Sequence, residues 1–239
     1  MDSMRSDTDR RRFITGAAMG LAALGMGGLT LRADARPTPA QGDADYAKRV
    51  LSLFGETPEP MVSEEPLEPS PRQGRGPFYM PRAPFRAKVS PMMAKGVPLF
   101  VQGRIWGHDT KQALAGVILD VFQASPKGVY SPGGDDWSFR TRMLTSETGY
   151  YEYETIHPPA YEFPQAGSGR WRSPHVHMVV NCPGYAELAT ELMFTGDPRA
   201  DVDFVGRPPE LVKTPERVEI EGVACERVWF DLVLAPRGR

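Results

Sequence analysis

Seven short runs rich in branched and aromatic residues constrain this chain more than anything else in it. They are VPLFVQGRIWG (97–107), GVILDVFQA (116–124), FRTRMLT (139–145), GYYEYET (149–155), HVHMVVN (175–181), ELATELMF (187–194) and RVWFDLVLA (227–235). Between them stand GHDTKQ, PGGDD, SETG, CPG and GDP, which turn or break the backbone. In the last run Val228, Phe230, Leu232 and Leu234 alternate with their neighbours and so share one face of a strand. Runs of this kind, with almost no helical periodicity between them, predict an all-β fold, an antiparallel β-sandwich. The 24 glycines and 24 prolines agree, since both exceed average usage and favour turns.

At 239 residues and 41% hydrophobic content the chain can bury one proper core, with an appendage. A net charge of −2 gives no reason to expect nucleic acid as a partner. The appendage is N-terminal. DRRRFIT (9–15), then GAAMGLAALGMGGLTL and ADA, reads as a twin-arginine export signal over residues 1–35. The uncharged stretch from Phe13 to Leu31 approaches the ~18 residues a membrane span needs, but its glycines and alanines make a poor anchor. The expectation is therefore a periplasmic or extracellular protein with no stable membrane insertion after cleavage. Residues 36–73 hold a short helix, with Tyr46, Val50, Leu53 and Phe54 at helical spacing, and an acidic, proline-rich linker or extended arm. The sandwich occupies 74–239. Two cysteines remain, Cys182 and Cys225; an oxidising compartment permits a bridge, and sequence alone does not decide it.

The chemistry concentrates at WRSPHVHM (171–178). Side chains alternate along a strand, so His175 and His177 point the same way, which suits either one shared metal ion or a solvated surface. The other histidines are less informative: His108 lies in a turn and reads as a surface residue, and His157 stands at a strand end with no assigned role. Candidate partners are two tyrosines in unusual surroundings. Tyr130 falls in a loop just past a strand, and Tyr161 follows two prolines that stiffen the backbone. Tyrosine becomes an anionic ligand only when a strong Lewis acid depresses its pKa from about 10, and ferric iron is the biological ion best suited to that.

In this order the motifs resemble the intradiol ring-cleavage dioxygenases, the catechol and protocatechuate 3,4-type enzymes with non-haem iron(III). GPFYMPRAPFR resembles the family's opening segment, and GRIWGHDTKQALAGVILDVFQASPKGVY the strand pair leading to its first tyrosine. FRTRMLTSETGYYEYETIHPPAY resembles the segment leading to the second, WRSPHVHM the two-histidine strand, and MFTGDP the piece after it. The likeness covers about residues 74 to 234. It implies Tyr130, Tyr161, His175 and His177 as ligands of non-haem Fe(III), and O2 with a catechol-type aromatic diol as substrates. The product would be a cis,cis-muconate-type diacid. Tyr161 would be both ligand and base, Arg172 would stabilise negative charge on the ring, and Pro77 would touch substrate. A homo-oligomer is a possible assembly.

Two departures stand out. Where the family usually reads T-Q-hydrophobic-Y-F, this chain reads Thr190-Glu191-Leu192-Met193-Phe194. A catalytic-site carboxylate at Glu191 can pair with Arg172, meet a cationic substituent, or repel an acidic substrate. The short SPGGDDWS stretch brings Asp135 and Asp136 to the expected pocket rim. Taken singly, each motif has an ordinary reading. SETGYYEYETIHPPAY also fits non-catalytic β-sandwich modules, and an H-x-H strand is more often surface than ligand. The alternative function is thus an exported, non-catalytic β-sandwich that binds a partner or carbohydrate. All the coincidences together favour the iron site.

Overall fold

A computed structural model describes residues 61–163 and 169–238 of the chain. The signal expected over 1–35 and the helix expected within 44–54 lie outside the described residues. In chain order the strands are β1 (Pro98–Gly107), β2 (Ile118–Gln123), β3 (Arg140–Leu144), β4 (Tyr150–Ile156), β5 (Tyr161–Glu162), β6 (Trp171–Arg172), β7 (His175–Asn181), β8 (Leu188–Phe194), β9 (Val212–Lys213), β10 (Glu216–Ile220), β11 (Val223–Trp229) and β12 (Leu232–Leu234). Two single 3-10 turns, Ala200–Val202 and Pro209–Leu211, fall between β8 and β9. Among the described residues no helix is long and apolar enough to cross a membrane.

Two sheets face each other. One contains β4, β1, β10, β11 and β12; the other has the order β3-β2-β7-β8-β9. Their inner faces follow the twofold period of the strands. Leu99, Val101 and Ile105 of β1 and Tyr151 and Tyr153 of β4 pack against Leu119, Val121, Val176, Met178, Val180, Leu192 and Phe194 from the opposite sheet. Each such side chain, withdrawn from water, contributes roughly 1.5–3 kcal/mol before entropy is counted.

The sandwich expected from the sequence is present, and within it the first sheet is mixed. β4 runs antiparallel to β1, whereas β11 and β12 run parallel to it. The final run is two strands rather than one. Val228, Phe230, Leu232 and Leu234 all point into the core as their alternation requires, but the ladder is interrupted between β11 and β12. At the interruption Arg104 N–H donates to the Asp231 carboxylate (2.7 Å), and a Cβ on Gly103 would stand 2.1 Å from the Phe230 carbonyl oxygen. Only glycine admits that approach.

The segment from residue 61 lies along the body. Ala113 N–H donates to Met61 C=O, Ser70 N–H to Val233 C=O and Gln73 N–H to Ala189 C=O. His108 Nδ1 meets Leu67 C=O at 2.8 Å, so this histidine ties down the arm rather than standing free on the surface. Cys182 and Cys225 both carry free thiols, one just after β7 of the second sheet and the other within β11 of the first. Burial pushes the Cys182 thiol up to about 11.

Period two also dictates what β2, β7 and β8 show on their other side. With Val121, Val176, Met178, Val180, Leu188 and Leu192 turned inward, Phe122, His175, His177, Val179, Ala189 and Glu191 must turn outward. That outer face is itself buried. Phe122, Val179 and Ala189 form a second apolar cluster, covered by Phe78, Tyr79 and Tyr130 from two loops. The candidate site lies under this cover.

Candidate metal centre

Strand register places the histidines. His177 of β7 stands directly across from Phe122 of β2 on one side and Glu191 of β8 on the other, and His175 stands across from Met193. The Phe122 and His177 rings stack, with centroids 4.4 Å apart and planes 7° from parallel. On the same imidazole, a Cβ at Gly76 would come within 3.3 Å of Cε1, so the loop before Phe78 closes over it with no side chain of its own. His175 Nδ1 lies 2.7 Å from Ser173 C=O. A carbonyl can only accept, so Nδ1 carries the proton and Nε2 keeps its lone pair.

The tyrosines arrive from loops that the sheet holds still. After β2 the chain turns at Ser125–Gly128, with Gly128 N–H donating to Ser125 C=O (2.9 Å). Gly128 has φ +71°, and a Cβ there would sit 2.7 Å from the Tyr161 Cβ, so this turn needs glycine twice over. Tyr130 then lies on Phe78 (centroids 4.4 Å, planes 11° apart). Tyr161 opens the β5–β6 ribbon, paired with Arg172, and meets Tyr130 edge to face.

Four donor atoms follow one another across this space. Tyr161 Oη is 3.3 Å from Tyr130 Oη, Tyr130 Oη is 3.2 Å from His175 Nε2, and His175 Nε2 is 3.1 Å from His177 Nε2. Neighbouring donors that share one ion at about 2.1 Å stand about 3.0 Å apart at right angles and about 3.4 Å apart at tetrahedral angles. Each of the three successive spacings falls at the value two donors sharing one ion would have. Burial pushes the Tyr130 phenol well above its usual range, with Tyr161 adding to the effect, and raises Tyr161 as well. Burial likewise depresses both imidazoles, His177 strongly. The cluster is thus two neutral phenols beside two neutral imidazoles. Only a strongly polarising cation makes tyrosinates of the phenols. His175, His177 and Glu191 also bring one ligand-type atom each within 4.8 Å of one another. The Glu191 carboxylate, however, faces the far nitrogen of His177: Oε1 is 3.4 Å from Nδ1, and that nitrogen makes no aligned hydrogen bond. Glu191 thus stands beside the His177 ring on the side of Nδ1, while its bonded partner is Arg172.

Arg172 is held from both sides. Its Nη2 bonds the Glu191 carboxylate, and its Nε donates to Asp203 Oδ1 at 3.1 Å. Arg172 and Glu191 are 5% and 2% exposed, so the pairing is shielded from water. Burial alone would push the Asp203 carboxyl up. The Ser173 hydroxyl and N–H, the Arg172 charge and the Val205 N–H outweigh it and hold the group below its usual value.

A cleft of about 520 Å³ opens beside the two tyrosines, walled by Phe78, Pro126, Val129, Pro159 and Trp171, with Lys127 and Glu162 exposed at its mouth. Pro77 is exposed in the turn between Gly76 and Phe78 and is not part of the cleft wall. Asp135 and Asp136 are not part of it either: Asp136 Oδ1 accepts from Ser138 N–H (2.9 Å) and shapes its own loop. His157 is engaged by Glu226 at 2.5 Å and lies against Phe194. Glu191 meets Arg172 and His177 rather than the cleft, the first of the roles open to it.

Sequence reasoning missed Asp203, Arg140 and Phe122. Phe122 could have been found from its alternation in GVILDVFQA; the others carry no local signal. Arg140, 2% exposed, ties both covering loops together. Its Nη1 donates to Phe78 C=O (2.7 Å), its Nη2 to Ser131 C=O (2.7 Å), and its Nε to Ser131 C=O and Oγ (3.0 Å each).

A sequence model of the family described as Dioxygenase matches residues 75–236, a span that contains all four donors. The chain belongs to the intradiol ring-cleavage dioxygenases, a family of oxidoreductases. Among relatives in that family, the chain is 31% identical to a chlorocatechol 1,2-dioxygenase of Rhodococcus opacus over 182 residues, 67% of this chain and 70% of the relative. It is 28% identical to the intradiol ring-cleavage dioxygenase prcA of Aspergillus niger over 64% of this chain, and spans about half (54%) of that protein's length. Among solved structures, the dioxygenase domain of a dioxygenase–carbohydrate-binding protein fusion from Streptomyces sp. SirexAA-E superposes with TM-score 0.58 at 30% identity. The match covers 71% of this chain and 100% of that domain.

Proposed function

We propose that this chain opens a catechol-type aromatic diol between its two hydroxyl-bearing carbons, using O2 and a non-haem Fe(III) ion, to give a muconate-type diacid. The observation that carries the reading is the run of four donors, two phenolic and two imidazole, with successive spacings of 3.1–3.3 Å. Tyr130, Tyr161, His175 and His177 would hold the ion. When bound, ferric iron supplies a Lewis acid that lowers phenol pKa values and draws electron density from the ring of a bound diol.

The chain's own groups do the rest. His175 is fixed as an Nε2 donor by its bond to Ser173 C=O, and the His177 ring is held in place by the Phe122 stack. Tyr161, on the two-residue β5 and lining the cleft, is the tyrosine whose Oη takes a phenolic proton from the incoming diol. Tyr130, clamped on Phe78 and under the Arg140-tethered loops, stays in place. Arg172 stands beside Tyr161 across the ribbon, where its charge stabilises anionic character on the ring. Phe78, Phe122 and Tyr79 keep water from the outer face of the sheet. Export through a twin-arginine signal, and a periplasmic or extracellular site of action, complete the proposal; the RRRFIT stretch supports them.

The test is oxygen uptake by the iron-loaded protein against a panel of diphenols, with products identified and 18O2 as label. Both labelled atoms are expected in an ortho-cleaved diacid. A protein that binds iron but consumes no oxygen with any diphenol contradicts the reading, and leaves a binding module.

A further inference from the structure

The two histidines are held by different means. The His177 ring is stacked on Phe122, and its Nδ1 makes no aligned hydrogen bond. The His175 ring is fixed at Nδ1, whose proton goes to Ser173 C=O at 2.7 Å. Whatever sets the direction of that carbonyl therefore sets where His175 Nε2 points.

Ser173 lies between β6 and β7, and Pro174 after it has no N–H to offer. The donors of Ser173 go instead to a residue 30 positions further on. Asp203 Oδ2 accepts from Ser173 N–H at 2.8 Å and from Ser173 Oγ at 2.6 Å. The other oxygen, Oδ1, accepts from Arg172 Nε and from Val205 N–H, each at 3.1 Å. The Asp203 side chain is 0% exposed, so these bonds are made without competition from water. Anchoring N–H and Oγ fixes the φ and χ1 angles of Ser173, and Pro174 restricts its ψ to extended values. The carbonyl is then left with one direction, toward the His175 ring.

We propose that Asp203 is a positioning residue for the metal ligand His175, acting through Ser173 to keep Nδ1 protonated and Nε2 turned to the ion. The inference rests on the ligand set read above and adds to it a residue outside the four donors. An amide cannot replace this carboxylate. With its nitrogen in the place of Oδ2 it faces Ser173 N–H, and turned over it faces Arg172 Nε–H and Val205 N–H. Donor meets donor either way.

The test reads the His175 Nδ1–H directly, by hydrogen exchange of the 15N-labelled, metal-free full chain, with the resonance identified by its loss in His175→Phe. In Asp203→Asn that proton should exchange roughly tenfold faster, over and above any change in the amides of the β2–β7 ladder. A general loss of stability speeds ring and ladder protons by one common factor instead. In parallel, chelator competition should show iron held about tenfold more weakly, the scale on which partners of a ligand act. Ser173→Ala removes one of the two Ser173 bonds to Asp203, so it should move both readings the same way by a smaller factor. It decides the matter if Asp203→Asn does not fold. An unchanged His175 exchange, or one that rises only in step with the ladder, overturns the inference. So does a specific rise in exchange with iron held as tightly as by the wild type. A wild type that binds no iron overturns both this inference and the proposed reaction. One that binds iron but opens no diol defeats the reaction alone, because neither reading needs turnover.

Discussion

Replacing Arg140 by Met tests how the site is held without touching a donor atom. The guanidinium makes three well-placed connections: Nη1 to Phe78 C=O at 2.7 Å, Nη2 to Ser131 C=O at 2.7 Å, and a shared Nε bond to Ser131 C=O and Oγ at 3.0 Å. Hydrogen bonds from a charged donor contribute about 1.5–3 kcal/mol each, so the gross loss is about 4–9 kcal/mol. Against it stands the desolvation of a 2% exposed cation with no carboxylate bonded to it among the described residues, which costs several kcal/mol and is relieved by the substitution. Burial lowers the Arg140 pKa, although Tyr130 and Asp136 act in the opposite direction. Methionine also refills most of the stem volume. The net expectation is about 2–4 kcal/mol of destabilisation, a melting temperature lower by roughly 5–15 °C. Both covering loops lose their common anchor, so the variant should also release iron faster during dialysis against a chelator. Urea unfolding followed by circular dichroism, with iron per chain measured alongside, checks both. A variant within about 0.5 kcal/mol of wild type that retains iron equally well refutes the clamp.

Other perturbations act on neighbouring parts. Gly76→Ala adds a Cβ 3.3 Å from His177 Cε1 at φ +67°, whereas Gly74→Ala meets nothing within 4 Å at φ +82°. Both should lose about 1–2 kcal/mol to backbone strain, but only the first should weaken iron binding, measured by chelator competition. Tyr161→Phe should keep its iron and slow proton removal from the diol in anaerobic stopped-flow mixing; an unchanged rate removes Tyr161 as the base. Asp203 titrates below its usual value in the fold, so its contribution is complete above the unfolded value near 3.9 and is lost as pH falls through the lower, folded one. The stability gap between wild type and Asp203→Asn should therefore stay level at neutral pH and close below about pH 4, and a gap that widens on acidification contradicts the sign.

The residues of the site divide by how local their signal is. His175 and His177 were legible because a two-residue period fixes where both rings point, whatever surrounds the strand. Tyr130 and Tyr161 were visible as tyrosines after strands and prolines, and their meeting with the histidines came through family likeness. Nothing in the sequence separates Arg140 from Arg142. They sit two apart in FRTRMLT, yet the first is buried under the loops and the second only half-buried. Asp203 reaches Arg172 from 31 residues away, a closure that depends on how the chain returns after β8. The fold divides in the same way. Alternation in RVWFDLVLA gave the correct inward face, but the parallel pairing of β1 with β11 and β12 is a long-range choice, and so is the break opposite Gly103. Strands as short as β5, β6 and β9 have no period to read. The five residues of β10, ERVEI, are mostly charged and exposed, so hydrophobic alternation could not reveal them.

The most direct measurement is the metal content and visible spectrum of the purified, iron-reconstituted protein, repeated on the Tyr130→Phe and His177→Ala variants. The account predicts one iron per wild-type chain and a red-brown tyrosinate-to-iron absorption. It predicts a weakened, shifted band in Tyr130→Phe and loss of the metal in His177→Ala. A colourless protein after reconstitution, or full iron occupancy with an unaltered band in both variants, contradicts a ferric ion shared by these four side chains.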